Sequence, residues 1–420
     1  MASHEFEKVI EKACTDLDIA GCALLATNRD GSFTYAKSFG KAAPGGDKPF
    51  QLDTVAWTGC VYGFTCPSCT KLLASLAALY LASTNNLSLD DPDLLPKHIP
   101  ELASKPILLP LGEDGTFHET PRTKPITLRH LLTHTSGLVY DFISLPSMAW
   151  AKANGKHPSR GSTVPERFDS PLAFEPGASW MYGPGIDYAG LLVERVSGRT
   201  LEEYLKTHIL SRVGVKDMTF HLSQRPNLQE RLAPFAYRAA GGLVAATPES
   251  PKHALTPWLT QDGNEVSGCF GGQGMFTSAE EYGKVLRGVL DGSLIPPSLA
   301  EDFFAPQLNQ VQADAMNGLL QIDQMNNMMG YTRKDVRKNW GLAGLLLDAD
   351  DHAKGRKEGT MVWAGMPMQQ WFVDRKTDLC GYFMTQILPT GDQKAAELSG
   401  VFVDGVYALV REGGREMGRL

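Results

Sequence analysis

Apolar positions recur with helical period over residues 5–18, where Phe6, Val9, Ile10, Ala13, Cys14 and Leu17 share one face. The polar residues between them predict a surface helix laid on a core. From Ile19 to Leu25 the chain is apolar, with Gly21 inside, and reads as a strand. Asn28-Arg29-Asp30-Gly31-Ser32 is a turn signal, and Phe33 to Phe39 reads as a second strand. Residues 41–51 form a Gly/Pro/Lys loop. A strong helix follows from Pro67 to Ser83, carrying Leu72, Leu73, Leu76, Leu79, Tyr80 and Leu81. Leu87 to Pro92 is a turn into a short helix, residues 104–125 are Pro-rich and irregular, and Thr127 to Thr133 is a short helix. Residues 141–174 are loop-rich, with Pro146, Pro158, Pro165 and Pro171, and so long a polar connection predicts a lid or cleft wall. Ile186 to Ser197, Leu201 to Leu210 and Glu280 to Leu290 read as helices.

The last third changes character. Leu342 to Leu347, Thr360 to Trp363, Gln370 to Asp374 and Leu379 to Leu388 are short apolar segments separated by turns, the spacing of an antiparallel meander. Gln393 to Arg411 closes the chain as a long amphipathic helix. Together these elements predict an α/β fold of the α+β type. An antiparallel sheet flanked by helices is built from both chain ends, with a mostly helical insertion between them. The boundaries expected are 1–80 and 270–420 for the split sheet domain and 81–269 for the helical and loop domain, with the lid at 141–174.

Composition narrows the function. With 420 residues, 43% of them hydrophobic, the chain buries a large core without disulfides or metal staples. Acidic residues outnumber basic ones, 47 to 40, and no Lys/Arg-rich run occurs, which argues against nucleic-acid binding. No apolar run reaches the roughly 18 residues of a transmembrane helix, and the charged N-terminal segment lacks the apolar core of a secretory signal. The expectation is a soluble cytoplasmic protein whose seven cysteines, an odd number, are reduced thiols. Cys66-Pro67-Ser68-Cys69 fits the C-x-x-C pattern of thiol–disulfide exchange. It equally fits small residues packing a helix start.

Candidate chemistry concentrates at Ser68-Cys69-Thr70-Lys71. S-x-x-K alone is a weak pattern, and Ser38-Phe39-Gly40-Lys41 matches it on a strand, where the two side chains point to opposite faces. Ser68 and Lys71 open a helix, so hydroxyl and ammonium lie on one face about one turn apart. The helix N-terminus offers N–H groups and partial positive charge to an oxyanion. Burial in an apolar helix brings a lysine toward useful base strength. A second constellation is Trp180-Met181-Tyr182-Gly183, a phenol leaving a Gly/Pro turn just before a helix, suited to acid–base work beside an ammonium. A third is Gly359 to Met366, a strand ending in small residues able to offer a backbone N–H at a cleft edge. His130 and His134 stand at i, i+4, but the Glu of H-E-x-x-H is missing.

The order S-x-x-K, tyrosine motif, small-residue strand resembles the penicillin-recognising serine enzymes. These comprise class C β-lactamases, D-Ala-D-Ala peptidases, esterase relatives and fungal lovastatin-type acyltransferases. Ile126 to Leu138, reading ITLRHLLTHTSGL, is similar to a typical segment of the family, as are Leu87 to Pro92 and Gly271 to Ser278. Trp180 to Asp187 and Asp217 to Phe220 are similar to segments of the lovastatin-type acyltransferases. The resemblance implies a β-lactamase/transpeptidase-like fold, catalytic Ser68, Lys71 and Tyr182, and an oxyanion hole from the N–H groups of Ser68 and Met366. The substrate pocket is expected at Trp363, Gly365, Trp371 and Tyr140; Trp363, Trp371 and the run Met316, Met325, Met328 and Met329 equally fit an acyl pocket or the core, and no metal or cofactor is expected. Two departures matter. Tyr-x-Asn is usual, but the third position here is Pro184, and the third motif usually opens with Lys or His, where this chain has Trp363. The second loss removes a cation that would hold a carboxylate.

These features imply a serine acyltransferase of fungal secondary, polyketide-type metabolism, taking acyl groups from an ester or thioester and passing them to an alcohol. An acyl carrier protein is a candidate bearer of the donor. A plain esterase is the alternative within the class, and a thiol-redox module on Cys66 and Cys69 the alternative outside it.

Overall fold

A computed structural model of the chain describes residues 5–58, 68–112, 115–141, 143–156, 161–246, 258–260 and 262–417. Cys60 and Cys66 lie outside the described residues.

The N-terminal periodicity becomes α1 (Glu5–Thr15), whose apolar stripe Phe6, Ile10 and Ala13 is buried. The hairpin follows as β1 (Gly21–Thr27) and β2 (Thr34–Gly40). Five strands come from the other chain end: β3 (Lys338–Trp340), β4 (Leu345–Leu347), β5 (Met361–Gly365), β6 (Gln369–Asp374) and β7 (Leu379–Met384). Among the described residues these seven form one sheet in the order β2-β1-β7-β6-β5-β4-β3. Every neighbouring pair is antiparallel, and the two chain ends meet where Leu24 of β1 faces Phe383 of β7. The fold is therefore the expected α+β type, an antiparallel sheet built from both ends of the chain.

Register decides which rings meet on each face. Trp363 pairs with Trp371, and Trp371 with Tyr382, so the three side chains share one face. That face meets α4 (Ala279–Leu290), where the rings of Tyr282 and Tyr382 stand 4.6 Å apart. The opposite face is covered by α1 and α5 (Gln393–Met417), with Phe372 against Tyr407 at 5.5 Å and Phe6 against Tyr35 at 5.4 Å. Among the described residues no helix is long and apolar enough to cross a membrane.

Between the sheet's two sources lies the mostly helical part, centred on α2 (Thr70–Thr84) and α3 (Gly185–Ser197). From Thr70 to Leu79 every residue of α2 is buried. A helix apolar on all sides belongs to a core, and this one carries the Ser68 turn into the middle of the molecule. The segment 141–174, expected to be loop-rich, also contains a helix at Leu145–Ala153 and another at Val164–Arg167. Pro146 and Pro165 sit in their first turns, where a missing N–H costs nothing, so these prolines start helices rather than break them. The strand Lys338–Trp340 was not expected, because its polar first two residues give no strand pattern.

Candidate active site

Ser68 stands at the entry to α2 and is fully buried. Its Oγ donates to the Thr58 carbonyl at 2.7 Å and accepts the Thr70 N–H at 3.2 Å. Thr58 is itself fixed, since its hydroxyl donates to the Met275 carbonyl and meets Thr70 Oγ1. Lys71, one helical turn on, is also fully buried. Its Nζ donates to Tyr140 Oη at 3.1 Å and to the Gly272 carbonyl at 2.8 Å. The same Nζ lies 4.7 Å from the centroid of the Tyr182 ring. The i, i+3 pair and the tyrosine, more than a hundred residues apart in sequence, therefore converge.

Tyr182 is held by the segment containing ITLRHLLTHTSGL. Met181 N–H donates to the His134 carbonyl at 3.1 Å, and Gly183 N–H to His134 Nδ1 at 3.4 Å. His134 has a positive φ of 58°, which turns its backbone toward the tyrosine segment. Its ring packs 4.8 Å from that of Tyr182. Burial, aided by the nearby Lys71 charge, holds the imidazole neutral by pushing its pKa well below the ordinary value. His130 closes a capping box with Thr127 at the start of helix Leu128–Leu132, its Nδ1 accepting the Thr127 N–H.

The third element, the end of β5, comes close to the serine turn. A Cβ added to Gly365 would stand 3.0 Å from Cys69 Sγ and 2.9 Å from Gln369 Oε1, so only glycine lets this strand end lie beside the turn. Met366 follows directly, fully buried. Gln369 braces the arrangement, taking a bond from Tyr382 and giving one to the Trp57 carbonyl. Cys69 is fully buried, and desolvation pushes its thiol pKa far up, which leaves little thiolate for redox chemistry. Gly365→Ala is accordingly expected to cost about 1–3 kcal/mol of stability by overpacking, and to lower esterase activity. Cys69→Ala keeps activity and partly relieves Gly365→Ala in the double mutant. Thermal melts and nitrophenyl ester turnover of the three variants check this, and a folded but inactive Cys69→Ala would restore the thiol reading.

Trp363 and Trp371 are buried on the inner face of the sheet, and the Trp363 ring stands 5.5 Å from Tyr182 and 4.6 Å from Trp340. Tyr140, expected at the substrate pocket, is buried like Trp363 and Trp371 and lies between Lys71 and the buried carboxylate of Asp187, to which its Oη donates at 2.9 Å. Sequence reasoning missed Asp187 and Gly272. The available signal for Asp187 was a lone acid in the otherwise apolar run Gly185 to Val193.

Fold and site define a serine enzyme on the scaffold shared with penicillin-recognising proteins. The chain belongs to the Beta-lactamase family, whose profile matches residues 6–401. Within it, several relatives are named as acyltransferases or esterases. The chain is 32% identical over 417 residues to monacolin J acid methylbutanoyltransferase of Aspergillus terreus, covering 97% of this chain and 96% of that protein. It is 34% identical over 401 residues to lovastatin esterase of Penicillium rubens, covering 93% and 94%. A mutant of simvastatin synthase from Aspergillus terreus has the same fold with a TM-score of 0.84 and 32% identity, covering 97% of this chain and 95% of the other. The enzyme class expected from the resemblance, acyltransferase or esterase of this family, is the class of these relatives.

Proposed function

We propose that the protein is a serine acyltransferase that forms an acyl-enzyme on Ser68 and passes the acyl group to an alcohol in polyketide-type secondary metabolism. The observation that carries this reading is the convergence of Ser68, Lys71 and Tyr182, with Nζ 4.7 Å from the phenol ring. Ser68 Oγ attacks the carbonyl of an ester or thioester, and its proton passes to Lys71 Nζ. The tetrahedral oxyanion takes hydrogen bonds from the N–H groups of Ser68 and Met366. On collapse the bond to the leaving alcohol or thiol breaks, and Tyr182 relays the proton from Lys71 to that group. The acceptor alcohol then attacks acyl-Ser68, giving its proton back through Tyr182, and free Ser68 is regenerated. Trp363 and Trp371 offer an apolar wall for the acyl chain, with Gly365 at its edge.

The monacolin J acid methylbutanoyltransferase and the lovastatin esterase both match nearly the whole chain, so transfer and hydrolysis are the two outcomes to separate. The donor is read as a thioester, free or borne on an acyl carrier protein, or as a simple ester. A donor screen with nitrophenyl esters and small-molecule thioesters, each with and without candidate alcohols, tests the proposal. The expected result is an intact acyl adduct on Ser68 by mass spectrometry and product ester rising with alcohol concentration at the expense of free acid. An adduct with free acid as the sole product under all alcohols leaves an esterase, and no adduct on Ser68 with any donor overturns the reading.

A further inference from the structure

Behind Lys71 the hydrogen bonds close into a ring. Nζ donates to Tyr140 Oη and to the Gly272 carbonyl. Tyr140 Oη donates to Asp187 Oδ2, and the Gly272 N–H donates to Asp187 Oδ1, each at 2.9 Å. Asp187 is fully buried, and no step of acyl transfer uses it. We infer that Asp187 is a positioning residue for Lys71: acting through Tyr140 and the Gly272 peptide, it fixes Nζ and supplies the counter-charge for the ammonium formed when Ser68 loses its proton. This rests on Lys71 being the base of the proposed acyl transfer.

The donor and acceptor inventory explains why a closed ring suits a base. A neutral primary amine has two N–H groups and one lone pair. The ring engages both N–H groups, so the lone pair is directed at an incoming proton. Once protonated, the cation sits two hydrogen bonds from a carboxylate, the pairing that a buried charge requires. The carboxylate is prepared for this place. Asp187 lies in the first turn of α3, where the helix dipole favours an anion. Gly272 presents bare backbone to it, since an added Cβ there would stand 2.1 Å from Asp187 Oδ2.

The charged and titratable groups around the ring set the sign of its effect. Asp187 faces Lys71 from α2, Tyr140, Arg167 from the helix Val164–Arg167, and its neighbour Tyr188. Burial holds the Asp187 pKa above the ordinary carboxylate value, and Lys71, the Gly272 N–H, Tyr140 and Arg167 offset part of that rise. Lys71 also faces Tyr182, whose ring centroid is 4.7 Å from Nζ, and His134, which is neutral and adds no charge. Asp187→Asn removes the negative charge, so the Lys71 ammonium gives up its proton at lower pH. Because the base must be neutral to accept the Ser68 proton, the acid limb of kcat/KM moves down.

The test is the pH dependence of nitrophenyl butyrate turnover by the full chain and by Asp187→Asn, Tyr140→Phe and the double variant. The expected result is a lower kcat with the acid limb displaced downward by about one pH unit in each single variant. The double variant moves no further than the larger single, because the two residues act in series. Should Asp187→Asn not fold, Tyr140→Phe, which removes one hydroxyl, decides alone. A fall in kcat at an unmoved acid limb makes the ring a packing feature and overturns the inference. Labelling with a fluorophosphonate separates this from the acyl-enzyme reading: a labelled Ser68 with an unmoved limb sinks only the role of Asp187, while an unlabelled Ser68 in the unmodified protein sinks the acyl-enzyme reading itself.

Discussion

Ser68→Ala is expected to abolish ester turnover, a loss of about 10⁴-fold or more, while the protein remains folded. In the proposed mechanism Ser68 Oγ is the oxygen acylated, with Lys71 one helical turn away. Its removal leaves the Thr58 carbonyl without its donor and the Thr70 N–H without its acceptor. Two weakened buried groups cost about 1–3 kcal/mol each at most, and Thr58 keeps its own anchors to Met275 and Thr70. The helix behind is bound by apolar packing that the substitution does not touch. Stability therefore falls modestly and chemistry almost completely. The control is Ser38→Ala, the other S-x-x-K serine. Ser38 lies on β2 opposite Ala23, half-buried, with Lys41 just past the strand end and exposed. Its loss is expected to leave turnover unchanged. Circular dichroism, thermal melting and nitrophenyl butyrate hydrolysis on both variants decide the matter. Equal losses in the two, or turnover retained by Ser68→Ala, would remove the nucleophile assignment.

How far this site was legible in advance follows from the range of each interaction. Ser68 and Lys71 belong to one helical turn, so spacing alone places them together. The amphipathic stripe of α1, the hairpin turn at Asn28 to Ser32 and the meander from Met361 to Met384 are likewise local patterns, and the sheet built from them was legible. Tyr182 was found as a motif, yet its approach to Lys71 depends on the backbone bonds to His134, which nothing local announces. The ring behind the lysine was illegible for the same reason. Asp187 meets Gly272 across 85 positions and Tyr140 across 47. Tyr140 was singled out as a functional residue, but its bonds to Lys71 and Asp187 were not foreseen, because sequence shows that a phenol is present and not which partner claims it. The helix Leu145–Ala153 was hidden by its own starting proline, and the strand Lys338–Trp340 by its dependence on pairing with Leu345–Leu347.

Nitrocefin and penicillin G are expected to be poor substrates, while nitrophenyl butyrate acylates Ser68 readily. In the proposed mechanism the oxyanion donors and the Ser68, Lys71, Tyr182 group serve an ester and a β-lactam alike, so only recognition separates them. A β-lactam of this kind carries a carboxylate that must find a partner as it enters a partly desolvated cleft. Leaving such a charge unpaired costs several kcal/mol, which is about 10²-fold or more in kcat/KM. At the β5 position where the family usually offers Lys or His stands Trp363, whose ring packs against Tyr182 and Trp340. After Tyr182 and Gly183, where an amide is usual, stands Pro184, which has no side-chain donor. Lys71 is the base in the proposed mechanism, and its Nζ already donates to Tyr140 and Gly272. A neutral ester makes no demand for a cation, and an indole face suits its acyl chain. Steady-state comparison of nitrocefin with nitrophenyl butyrate checks the argument directly. A higher kcat/KM for nitrocefin would mean that another group anchors the carboxylate. Trp363→Lys supplies the complementary test: it should narrow the gap by improving nitrocefin and impairing the butyrate ester. A change of both rates in the same direction would show that Trp363 acts through packing of the tyrosine alone.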